Sequence, residues 1–146
     1  MVFRRRITKR KSGGKTISYE FADDIRAKVV DVVQTIPELD HLKFRLDSIS
    51  CIRSYYSGSR GTIARCHALS KVMQISLNRD GYYVLEFIHE RYDNLSEDDK
   101  FRTIIHELMH VPKAFGGGFK HHDWVNEKNV ELFFKKYKSL KNNSWF

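Results

Sequence analysis

Thr103-Ile104-Ile105-His106-Glu107-Leu108-Met109-His110-Val111-Pro112 is the stretch from which the rest of the chain is read. Phe101, Ile104, Ile105, Leu108 and Met109 recur at helical spacing, which predicts a helix with one apolar face. His106 and His110 stand four residues apart, so a helix puts both imidazoles on one face, a turn apart, where they can meet one metal ion. Glu107 lies beside them. The boundaries are equally legible. Ser96 suits an N-cap, Glu97, Asp98 and Asp99 complement the positive end of the helix dipole, and Pro112 stops the helix.

Downstream, Gly116-Gly117-Gly118 permits a sharp chain reversal. A last helix is expected over about 123–141, with Val130, Phe133, Phe134 and Tyr137 on one face. Upstream, residues 82–88 are the clearest strand, rich in aromatic and β-branched side chains. That strand reads either as a core strand or as a sheet edge that receives an extended peptide. Residues 78–81 end in Asp80-Gly81, a turn signal. Residues 72–77 alternate and read as a strand, residues 62–69 are open between strand and helix, and 44–54 suggest another strand. Ala22, Ile25, Val29, Val32, Val33 and Ile36 mark an amphipathic helix ended by Pro37.

The chemistry follows from the residue types. Two imidazoles with an adjacent carboxylate form the arrangement in which a metal-bound water loses its proton to a general base, as in zinc peptidases. Catalytic zinc takes three protein ligands and keeps a fourth position for water. The third is expected beyond the glycine reversal, from His121, His122 or Asp123, while Glu127 or Glu131 on the last helix would give a His₂Glu set. Gly116 occupies the position, six residues past His110, where the metzincin pattern has its third His, so that subclass is excluded. For oxyanion stabilisation, His121, Tyr82, Tyr83 and Tyr137 are the candidates. Asp123 reads either as a partner orienting a ligand imidazole or as the cap of the last helix.

The segments His106-Glu107-Leu108-Met109-His110-Val111-Pro112 and Phe115-Gly116-Gly117-Gly118-Phe119-Lys120-His121-His122-Asp123 together resemble a metallopeptidase family of phages and archaea, minimal relatives of the zincins. Residues 51–54, 64–69 and 83–86 also look like archaeal members, and the resemblance covers roughly 20–137. It implies a peptidase with one catalytic Zn²⁺ held by His106, His110 and His122, with Glu107 as general base. It departs from the family pattern at His121, where a proline is common. The implied fold is α+β: a minimal zincin-like domain with a small, mostly antiparallel sheet of three to four strands, an N-terminal helix, the active-site helix and a C-terminal helix.

The formal net charge of +8 is concentrated at one end. Arg4, Arg5, Arg6, Lys9, Arg10, Lys11 and Lys15 all precede the first acid, Glu20. Residues 1–17 therefore read as a basic flexible tail, jointed at Ser12-Gly13-Gly14, and 18–146 as the single folded domain. Such a tail can bind DNA non-specifically through counterion release, or serve only as a solubilising arm. No apolar run of membrane-spanning length occurs, and no apolar core follows the basic N-terminus, so a cytoplasmic protein without a membrane partner is expected.

Cys51 and Cys66 fall on candidate neighbouring strands; free thiols, a disulfide, or a metal site with His67 are the readings, in that order. Two function classes result. One is a zinc peptidase acting on protein or peptide. The other is a nucleic-acid-binding or regulatory module with a structural or inactive zinc site.

Overall fold

The computed structural model describes residues 7–12 and 15–143, the first of these segments by its backbone alone. Five strands form one sheet: β1 (Ile7–Ser12), β2 (Lys15–Phe21), β3 (Ile49–Tyr55), β4 (Ala64–Ala68) and β5 (Tyr83–Ile88), in the order β1-β2-β3-β5-β4. Only β3 and β5 run parallel; the other three pairings are antiparallel. The α+β class and the mostly antiparallel sheet hold. The sheet exceeds the expected three to four strands because residues 7–12 and 15–17, read as flexible tail, pair into it. Their sequence lacks a strong apolar alternation, so the pattern that reveals inner strands does not reveal this edge. Arg4, Arg5, Arg6, Gly13 and Gly14 lie outside the described residues.

The helices are α1 (Asp23–Thr35), α2 (Lys71–Ser76), α3 (His89–Tyr92), α4 (Glu97–Met109) and α5 (Glu127–Asn143), with a run of 3₁₀ turns over Pro37–Ser48. Helix α1 buries Ile25, Val29, Val32 and Val33, the positions its periodicity marked. They meet Ile104, Ile105 and Leu108 of α4, Val130, Phe134 and Tyr137 of α5, and Tyr83, Leu85 and Phe87 of β5 in one core. Each fully buried aliphatic side chain there contributes about 1.5–3 kcal/mol. Burial, more than intrinsic propensity, thus holds the β-branched α1 in helical form.

Two strand expectations are overturned. Residues 44–48 belong to the 3₁₀ run, where Phe44 stands almost fully exposed, and β3 begins only at Ile49. Residues 72–77 form α2 and its C-cap instead of a strand. Ser70 caps α2 by accepting from the Met73 amide. Gln74 is its one buried residue, while Val72, Ile75 and Leu77 face outward, so the alternation marks no sheet face. Of the two readings of 82–88, the core strand holds: β5 is paired on both sides, and β4 and β1 are the edge strands.

Cys51 and Cys66 both lie opposite Leu85, one on each side of it. Two strand spacings, about 10 Å, separate them, which is beyond disulfide reach. Both are free thiols, pushed up to about 12 by burial. The metal cluster of Cys51, Cys66 and His67 fails as well: His67 faces the other side of the sheet and meets Glu86 at 2.7 Å.

Candidate metal centre

Helix α4 carries the centre. Ser96 accepts from the Asp99 amide at 3.2 Å, and Glu97, Asp98 and Asp99 fill the first turn, so the helix starts where its cap predicts. It ends at Met109, with His110 as C-cap. Ile104, Ile105, Leu108 and Met109 anchor one face in the core. The opposite side presents His106 and His110, whose Nε2 atoms lie 3.3 Å apart.

The third imidazole arrives on the return of the chain. The amide of Lys120 donates to the His110 carbonyl at 2.8 Å, and His110 Nδ1 meets the Lys120 carbonyl at 2.7 Å. Since a carbonyl only accepts, Nδ1 carries the proton, and Nε2 is left with a lone pair aimed at its neighbours. Two residues on, His122 brings its ring centroid to 5.0 Å from that of His110 and 5.8 Å from that of His106. Ligand atoms of the three histidines all lie within 4.8 Å of one another. The amides of Trp124 and Val125 both donate to the His121 carbonyl, and fully buried Val125 fixes this turn to the core.

The glycine reversal is tied from behind. Tyr83 donates its hydroxyl hydrogen to the Gly118 carbonyl at 2.7 Å and accepts from the Gly117 amide at 3.1 Å. Gln74 donates to both Leu69 and Gly116 carbonyls, at 2.8 and 3.0 Å. Gly117 has φ +108°, and a Cβ there would come within 2.8 Å of the Leu69 carbonyl oxygen. Of these anchors, Gln74 is absent from the sequence-based candidates, and Tyr83 stands among them only for oxyanion stabilisation. Gln74 and Ser76 both interrupt the apolar run 72–77, so no local signal singles out Gln74.

Glu107 is 4 % exposed, and its Oε2 has no hydrogen-bond partner among the described residues. Burial pushes its carboxyl up to about 7. Burial also lowers His106 to about 4, helped by the neighbouring His110 and His122, and it lowers His110. The imidazoles of His106 and His110 thus favour the neutral form that metal ligation requires. Tetrahedral zinc at about 2.0–2.1 Å from each nitrogen would separate two ligand nitrogens by about 3.4 Å, close to the 3.3 Å seen here. The residues fit such an ion.

Other candidates are placed elsewhere. His121 is exposed and lines the hollow beside His122, outside the three-histidine cluster. Tyr137 donates to Asp31 and stacks on Phe101, 5.0 Å between centroids, so it is no oxyanion donor. Tyr82 meets Ser50, and Tyr83 is committed to the glycine loop. Asp123 is exposed; the cap of α5 is Asn126, whose side chain accepts from the Asn129 amide at 2.9 Å. Lys9, Arg10 and Lys11 lie on β1, at the sheet edge opposite β4.

Two hollows meet at Ala64, His106 and Glu107. The larger, about 740 Å³, runs between residues 61–64, α4 and the start of α5. Among the described residues, no helix is long and apolar enough to cross a membrane. No curated protein and no solved structure matches the chain. A family model described as "Putative phage metallopeptidase" matches residues 17–140, which include α4, the glycine reversal and all three clustered histidines. The chain belongs to this phage metallopeptidase family.

Proposed function

We propose that the protein is a zinc-dependent peptidase in which Glu107 is the general base and His106, His110 and His122 hold one metal ion. The observation that carries this reading is the unpartnered, buried Glu107 Oε2 beside three converging imidazoles, at the wall of an open cleft. When bound, zinc would polarise a scissile carbonyl and bring the pKa of a bound water towards about 7.

The chain's own residues supply the remainder. His110 is held in one tautomer by the Lys120 carbonyl, so its lone pair is oriented before any ligand arrives. Glu107 accepts the proton of the attacking water and returns it to the leaving amine, a role suited to a carboxyl poised near 7. The β4 edge, next to the cleft, offers unpaired backbone groups along which an extended peptide can add as a further strand. His121 is the remaining side-chain candidate for steadying the oxyanion, since the three tyrosines are engaged elsewhere.

The test combines metal analysis with Glu107→Gln. About one zinc per chain is expected in both proteins, with peptide hydrolysis lost only in the variant. Equal hydrolysis in the two, or no zinc in the parent protein, overturns the reading. For the basic N-terminal segment we propose non-specific DNA association, supported by seven cations ahead of the first acid. Lys9, Arg10 and Lys11 stand on β1, at the sheet edge opposite β4, so DNA held by them would leave the cleft clear.

A further inference from the structure

The cleft beside Glu107 has a charge pattern of its own. Its walls carry Asp99, Glu127 and Glu131, with Arg102 as the only cation among the lining residues. That cation is fully engaged. Arg102 binds Glu131 through Nε at 2.9 Å, Asp99 through Nη1 at 2.9 Å, and lies over the Phe134 ring at 4.2 Å. Arg102 therefore ties α4 to α5 and neutralises part of the wall, and a carboxylate remains over. Glu127 is exposed and has no ion pair among the described residues. The cleft is thus net acidic in a protein whose formal charge is +8.

Position adds to sign. The lining residues of α4 run from Glu107 back through Thr103 to Asp99, two helical turns or about 12 Å. The cleft thus begins at the unpartnered Glu107 Oε2, buried at its head. It ends among the carboxylates of Asp99, Glu127 and Glu131. Val130 lines the same cleft and offers an apolar surface for the methylene stem of a long side chain. The smaller hollow, which the three histidines line, carries Arg65, Lys120 and His121, with Arg65 paired to Glu86 at 3.6 Å.

We propose that this cleft selects peptides with a lysine or arginine side chain next to the scissile bond, and that Glu127 is the carboxylate that receives the cation. The inference rests on the peptidase reading and names its substrate class. A basic side chain would lay its stem along Val130 and place its charge by Glu127, with Glu131 and Asp99 held back by Arg102. An acidic side chain there would meet only repulsion.

The test uses the zinc-loaded full chain and quenched fluorescent peptides identical except for Lys, Arg, Leu or Glu beside the cleavable bond. The kcat/KM ratio of Lys or Arg over Leu should be about tenfold at low salt, falling as salt rises. Glu127→Gln should bring that ratio close to one, and Glu127→Lys should turn the preference towards Glu. Binding of the Lys and Leu peptides to the Glu107→Gln protein, by calorimetry, gives a readout without turnover, and the Lys peptide should bind more tightly. Cleavage of all peptides with equal ratios in parent and Glu127 variants overturns the specificity and leaves the peptidase reading standing. Zinc-loaded protein that neither cleaves nor discriminates between the peptides in binding overturns both. Circular dichroism of the variants, expected to match the parent, separates a recognition change from misfolding.

Discussion

His110 Nδ1 and the carbonyl of Lys120 are 2.7 Å apart, and the Lys120 amide closes the same ring by donating to the His110 carbonyl. Lys120 thus serves the centre through its backbone. Its side chain points elsewhere, towards the Trp124 ring at 5.1 Å. Lys120→Ala should leave zinc affinity within about twofold, since both backbone bonds survive. Lys120→Pro removes the amide donor and should weaken zinc by roughly tenfold to a hundredfold. Competition with a chromogenic chelator measures both.

Gly117 tests the loop from the other end. At φ +108° and 2.8 Å from the Leu69 carbonyl, an alanine side chain has neither the conformation nor the room. Gly117→Ala should cost about 1–3 kcal/mol in chemical denaturation and should displace His122, so zinc affinity falls as well. Gly118 has nothing within 4 Å of its Cβ position, and Gly118→Ala should be far milder.

Acid stability has a named source in Arg53. Its guanidinium binds Asp24 at 2.8 and 3.0 Å and Asp93 at 2.9 and 3.0 Å. The hydrogen bond from Arg53 holds the Asp24 carboxyl below its ordinary value of 3.8. A folded-state pKa below the unfolded one gives stability that is present above pH 3.8 and lost as pH falls through the folded value. Thermal midpoints should therefore drop below about pH 4. Arg53→Met should lower the midpoint at neutral pH and flatten that acid limb, which scanning calorimetry from neutral to strongly acidic pH would register.

The basic segment is tested by removing residues 1–6, which leaves β1 in place. DNA affinity should fall, and the slope of log affinity against log salt should become shallower, by about 0.9 for each phosphate that is no longer neutralised. Peptide hydrolysis should not change. An unaltered salt slope would rule out the electrostatic role.

The fold and the centre were unevenly legible in the sequence. Helix α4 was readable to its ends because cap, first-turn acids, apolar face and Pro112 all agree locally. The His106–His110 pair follows from helix geometry alone. His122 needed the return of the chain, which is set by Tyr83 and Gln74 across long separations and leaves no local pattern. Alternation misled at 72–77, since a two-residue period signals a strand only when one face is buried, and here Val72 and Ile75 are exposed. The scarcity of apolar residues in 7–12 and 15–17 hid β1 and the start of β2, while pairing order, which makes β4 an edge and β5 central, is decided by tertiary packing. Tyr137 shows the converse: its helical face was correct, yet that face meets α1 and Asp31, away from the cleft.

The division of the three imidazoles between a core helix and a glycine loop has a consequence for how such a centre ages and changes. Two donors are as durable as the hydrophobic core that supports α4. The third depends on a few hydrogen bonds from Tyr83, Gln74 and His110 to a short turn. Lengthening or mutating that turn would forfeit the metal while sparing the architecture. A lineage could therefore lose its chemistry, and regain it, through changes confined to the short segment that follows Pro112.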